Sequence, residues 1–216
     1  FDWGSLYLAS VEHLCFFALV YMTAILSMLL TGNLVVGLLG TGVLFSWGPV
    51  ICMTISAYFS EYFTTFYGDD SFLLALSERT SPVAWYVKAC MSSQPGRMAL
   101  WAMLAAAVLF LLGMLLYRRR PSEAAGHAMA FPITEPIIRF LIAVPSSLLL
   151  GAMFHLVMCE DGWTVFGLVC GLLLVSCIIE IIYHFDFKSL FAHKRQLLVS
   201  AVFVGVVFAI FRFDLF

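Results

Sequence analysis

YRRRPSEAAGHAMAFP, residues Tyr117–Pro132, is the longest polar run rich in basic side chains in an otherwise greasy sequence. It follows directly on the apolar run Met98–Leu116, and a further apolar run begins near Ile137. It therefore reads as a loop between two membrane-buried helices. Lys and Arg accumulate in cytoplasmic loops, so Arg118, Arg119 and Arg120 mark this loop as facing the cytoplasm.

Composition agrees with that reading. Of 216 residues, 63% are hydrophobic and 11% charged, with a mean hydropathy of +1.03, whereas roughly a quarter of the residues in soluble domains carry charge. The expected fold class is an all-α polytopic membrane protein with six transmembrane helices and short interfacial helices in one outer loop, forming a single transmembrane domain over residues 1–216. The net charge of −2 and the few, scattered cations exclude a nucleic-acid partner. Six cysteines show no CxxC or Cys/His spacing. Cys15, Cys52, Cys170 and Cys177 fall in apolar runs where thiols act as small packing groups, so no metal site is expected. The sequence begins at Phe1 with no basic segment before the first apolar run, which leaves no signal peptide to exclude and suggests a piece of a longer chain.

About 20 apolar residues cross a ~30 Å hydrocarbon core as a helix. Six runs approach that length: about Leu6–Leu30, Leu34–Phe59, Met98–Leu116, Ile137–Met158, Trp163–Ile182 and Leu197–Phe211. The first two are separated only by Thr31-Gly32-Asn33 and read as an antiparallel hairpin. Alternation puts the loops 117–136 and 183–196 on one side. Both are basic, the second through Lys188, Lys194 and Arg195, while Cys159-Glu160-Asp161-Gly162 has no cation and suits an outer turn. By the same parity both ends of the chain and the segment 60–97 lie outside. Ser81-Pro82 within that segment reads as a helix start, followed by Trp85 and Tyr86, rings suited to the headgroup level. Cys90 and Cys159 are then both outside, where either a disulfide or two free thiols fits.

Three small-residue pairs predict close helix packing: Gly167/Gly171, Ser147/Gly151 and Gly42/Ser46. Gly48-Pro49 and Pro145 predict kinks within their spans.

Ionisable residues at depth are functional candidates, because burying them unpaired costs several kcal/mol. Glu12 and His13, about two turns into the first span, are candidates for an outer gate. Glu180 and His184, at i and i+4 near the inner end of the fifth span, share a helix face and lie close to Asp186 and Lys188. They suit either a cytoplasmic cap or contact with a cytoplasmic partner. No HExxH, GxSxG or GxxxxGK[ST] occurs, so no catalytic residue is assigned and enzymatic chemistry is not expected.

Leu116-Tyr117-Arg118-Arg119-Arg120, followed by Glu123-Ala124-Ala125-Gly126 and Phe131-Pro132, resembles a loop found in bacterial ABC transporter permeases of the type-2 export class. Thr31-Gly32-Asn33, Ser81-Pro82 and Glu180–Phe187, EIIYHFDF, extend the resemblance from about Thr31 to Asp214. It implies further upstream helices, including the one that couples to the ATPase, and often a following outer domain. It also implies separate ATPase subunits that bind ATP and Mg, a second permease copy or paralogue, and a place in the bacterial cell membrane. The chain itself would carry no cofactor. Arg118, Arg119 and Arg120 would contact lipid headgroups or the partner, and Glu123, Gly126 and His127 the partner. The alternatives are a secondary transporter or ion channel using Glu12 and Glu180, and a membrane anchor or sensor.

Overall fold

A computed structural model describes residues 3–63, 71–92, 95–121, 128–184 and 194–213. Among these, eight helices form: α1 (Trp3–Leu30), α2 (Leu34–Tyr62), α3 (Ser71–Thr80), α4 (Pro82–Met91), α5 (Pro95–Arg119), α6 (Thr134–Met158), α7 (Asp161–His184) and α8 (Lys194–Arg212). All but α3 and α4 are long and apolar enough to cross a membrane. The chain is an all-α polytopic membrane protein.

The six long helices coincide with the six apolar runs but extend past them. Arg118 and Arg119 belong to the last turn of α5 rather than to a loop, because a helix continues until its backbone is capped, not until its side chains turn polar. There they also complement the negative end of the helix dipole. Both α2 and α6 continue through their prolines, Pro49 and Pro145. Two compact units form: Phe1–Gly48 with Glu78–Phe131, and Pro49–Ser77 with Pro132–Phe216. The division follows the packing partners, since α1 lies on α5 and α4, and α6 on α7 and α8.

In the first unit, α1 and α5 share a core of Cys15, Phe16, Leu19, Ala99, Ala102 and Ala106, joined by Ala89 of α4. Alanines on α5 bring its backbone close to the larger side chains of α1. The α1–α2 hairpin closes similarly. Ser27 Oγ donates to the Gly37 carbonyl at 2.8 Å, and a Cβ on Gly40 would lie 2.6 Å from that hydroxyl. Ser81 caps α4, its side chain accepting from Ala84 N–H with Pro82 at the first helical position, as expected from Ser81-Pro82. Trp85 and Tyr86 pack edge-on or tilted against Phe16, with ring centroids 6.3 and 5.6 Å away. Both rings thus turn towards α1.

In the second unit α6 and α7 form a hairpin joined by Cys159 and Glu160 alone. Cys159 adopts the left-handed conformation, φ 55°, and its N–H closes on the His155 carbonyl at 2.7 Å, the usual way to end a helix sharply. Ser147 and Gly151 on α6 meet Gly167 and Gly171 on α7. A Cβ on Gly167 would sit 2.9 Å from the Leu150 carbonyl oxygen and 3.0 Å from Gly151 Cα, and one on Gly171 3.1 Å from Ser147 Cα. Two of the three predicted small-residue pairs therefore form a single crossing. The third does not, since a Cβ on Gly42 meets nothing within 4 Å and Ser46 bonds back to its own helix at the Gly42 carbonyl. Tyr58 of α2 donates its hydroxyl to the Leu148 carbonyl at 3.2 Å and packs tilted against Phe211 of α8.

Candidate functional site

Most charged side chains among the described residues lie towards helix ends. In the first unit, one such end joins the α1–α2 turn to the residues flanking the polar loop. Arg120, just beyond α5, donates from its guanidinium to the Thr31 carbonyl at 2.9 Å. Past the loop, Ala130 N–H donates to the Leu30 carbonyl at 2.9 Å, and Gly32 N–H to the Ala128 carbonyl at 3.4 Å, forming an isolated antiparallel bridge between Thr31 and Met129. The Leu30 carbonyl at the end of α1 and the Thr31 carbonyl just past it are satisfied from the two flanks of the polar stretch. Thr31, Ala128 and Ala130 are buried. The loop is thus tied down at both ends.

The three arginines separate in role. Arg120 is committed to Thr31, whereas Arg118 and Arg119 are exposed, with no ion pair or side-chain hydrogen bond among the described residues. Arg120→Ala is expected to lower the thermal unfolding midpoint, a half-buried charge-assisted bond being worth about 1 kcal/mol. Arg118→Ala and Arg119→Ala lower the midpoint less, losing only their interaction with the helix dipole, and instead weaken the binding of anionic lipid headgroups by about 1 kcal/mol each. Equal effects of the three substitutions on the midpoint would contradict the separation.

Glu123, Gly126 and His127 lie outside the described residues, as do Asp186, Lys188 and the side chain of His184.

The opposite end of the first unit holds Glu12 and His13. They lie more than a dozen residues along α1 from Thr31, roughly 25 Å away at 1.5 Å per residue. His13 Nδ1 shares a proton with the Tyr86 hydroxyl at 3.1 Å. Hydrogen bonding to the Cys90 thiol, then burial, pushes the Tyr86 phenol above its usual range, so it remains a neutral donor. Glu12 Oε1 is buried with no hydrogen-bond partner among the described residues, facing Gly96, where a Cβ would lie 3.2 Å away. Glu12 and His13 therefore sit at a junction of α1, α4 and α5. Cys90 and Cys159 are both exposed free thiols.

In the second unit Glu180 does not cap a surface. It is 3% exposed and holds a two-point ion pair with Arg139 of α6, Arg139 NH2 to Oε2 at 2.7 Å and NH1 to Oε1 at 3.2 Å. Arg139, 6% exposed, also reaches Glu135 one turn earlier at 3.4 Å, and its guanidinium carbon lies 5.4 Å from the centre of the Tyr183 ring. Burial of two charges is offset by bidentate geometry, a second carboxylate and the ring face. Among the described residues, Arg139 Nε and the Tyr183 hydroxyl have no hydrogen-bond partner. The fork matches the planar guanidinium to the planar carboxylate, so it fixes the register of α6 on α7 as well as neutralising both. Arg139 was invisible to reasoning from local spacing. Its only signal was a lone cation inside the apolar run that begins near Ile137.

No family model, curated protein or solved structure matches the chain. Among the described residues, no group of three or more His, Cys, Asp or Glu side chains is placed to hold a metal ion.

Proposed function

We propose that this chain is the membrane-spanning permease subunit of a bacterial ABC exporter, driven by a separate ATPase that binds ATP and Mg, and working in the cell membrane as a pair with a second copy or paralogue. The observation that carries the reading is the tethering of the polar loop. A loop that merely anchored topology would need charge alone. Here Arg120, Ala128 and Ala130, which flank the polar stretch, are held on the α1–α2 turn. Flanks ordered in advance suit contact with a partner, because they lower the entropy lost on binding.

The alternative of a secondary transporter or channel gains little from Glu180, whose charge is already neutralised by Arg139 near a helix end.

The test is affinity purification of the full protein from its host membrane, followed by an assay of Mg-dependent ATP hydrolysis. An associated ATPase is expected, with turnover reduced several-fold by Glu123→Ala or His127→Ala. Purification without ATPase activity would overturn the permease reading. Activity indifferent to both substitutions would overturn the loop's role in it.

A further inference from the structure

At the end of the second unit away from Arg139 and Glu180, four helices meet around one imidazole. His155, in the last turn of α6, places Nδ1 2.7 Å from Thr164 Oγ1 on α7 and Nε2 3.4 Å from Glu61 Oε2 on α2. Thr164 is fully buried. Asp161 at the start of α7 lies 4.0 Å from Nδ1, but its carboxylate is already engaged. Arg212 of α8 holds Oδ2 at 2.6 Å, and the Tyr62 hydroxyl donates to Oδ1 at 3.3 Å. The Tyr62 ring itself lies 5.5 Å from the imidazole, centre to centre. On α6 the remaining titratable group of this turn, Cys159, is exposed. Between α6 and α7, Glu160 offers its backbone carbonyl to Thr164 Oγ1 at 3.5 Å.

The charges do not balance while His155 is neutral. Among the described residues, Glu61 and Asp161 are set against one cation, Arg212, which is spent on Asp161. Of those residues, only the imidazole lies within ion-pair distance of Glu61. A proton added to His155 from solvent supplies the missing charge. The hydrogen bonds accommodate both forms. In the neutral ring, the Thr164 hydroxyl donates to Nδ1, while Nε2 lies 3.4 Å from the Glu61 carboxylate. In the protonated ring, Nδ1–H donates to Thr164 Oγ1, whose own hydrogen turns to the Glu160 carbonyl. The contact of Nδ1 with Thr164 is kept in both states.

We infer that His155, Thr164 and Glu61 form a proton-operated latch, which ties the last turn of α2 to the α6–α7 hairpin when the imidazole is charged and loosens it when the proton leaves. Histidine is the side chain suited to this because its charge changes in the range of ordinary environmental pH. The latch stands independently of the permease reading and would regulate whatever the bundle does.

The test is a double-mutant cycle of His155→Gln and Glu61→Gln in the full chain in lipid nanodiscs. It is read as thermal midpoints at about pH 5.5 and about pH 8, either side of the range in which imidazole titrates. The coupling between the two positions is expected to be about 2–4 °C at the lower pH and at most half as large at the higher. Thr164→Val, which removes the hydroxyl that accepts Nδ1–H, should abolish the difference between the two pH values. If His155→Gln fails to fold, Glu61→Gln alone still decides, because its destabilisation should be larger at the lower pH. Equal coupling, or equal destabilisation, at both pH values would overturn the latch.

Discussion

Arg139→Met is expected to be the most damaging single substitution in the chain, destabilising the second unit by about 3–5 kcal/mol, and Glu180→Met should come close to it. Each leaves a buried charge without the bidentate pair that neutralises it. Arg139 would keep Glu135, which is partly exposed, and the Tyr183 ring, and Glu180 would lose both bonds to the guanidinium. The double substitution Arg139→Met with Glu180→Met should recover most of the loss, since two apolar side chains of similar bulk replace two buried charges. Thermal unfolding of the three variants checks this. A double variant less stable than either single would show that the pair contributes net attraction beyond mutual neutralisation.

Gly167→Ala is expected to follow, at about 1–3 kcal/mol. Its new methyl meets the Leu150 carbonyl oxygen at 2.9 Å and Gly151 Cα at 3.0 Å. These are backbone atoms that cannot swing aside, so the helices must part along the whole crossing. Gly171→Ala should cost less, because its contacts at 3.1 Å include the Leu150 side chain as well as Ser147 Cα. Gly42→Ala and Gly205→Ala serve as controls, with nothing within 4 Å of either new methyl, and should be neutral or slightly stabilising through helix propensity. Thermal midpoints in one detergent rank the four. A Gly167→Ala protein as stable as the controls would mean that the α6–α7 crossing is wider than described.

The contrast between Gly42 and Gly167 shows where the sequence was legible. Spacing of small residues reports that two backbones are able to approach, but the partner surface is not written in the same stretch. Gly167 and Gly171 had a matching pair, Ser147 and Gly151, on the neighbouring helix of a two-residue turn, so local pattern and tertiary contact agreed. The six long helices were legible for a related reason. A run of apolar residues is an energetic requirement of crossing hydrocarbon and must appear in the chain itself.

Charged residues were less legible, because a helix wheel shows only neighbours one turn away. It pairs Glu180 with His184. The structure pairs Glu180 with Arg139, 41 positions earlier, and no local rule reaches that far. The same limit hid His155, whose partners Glu61 and Thr164 come from two other helices. It hid as well the different employment of Arg120 from that of Arg118 and Arg119, which looks like one cluster until Thr31 is placed beside it. The division into two units follows from these distant pairings and was equally out of reach.

The bond from Arg120 to Thr31 also orders events in time. The two residues are 89 positions apart, so at about 5–20 residues per second a ribosome delivers the arginine roughly 5–20 s after the turn it completes. For that interval the α1–α2 hairpin carries open carbonyls at its tip, satisfied only by water. The first hairpin of the chain is therefore finished by a residue made after α5, and biogenesis of the first unit cannot be sequential. Its earliest element waits for its last.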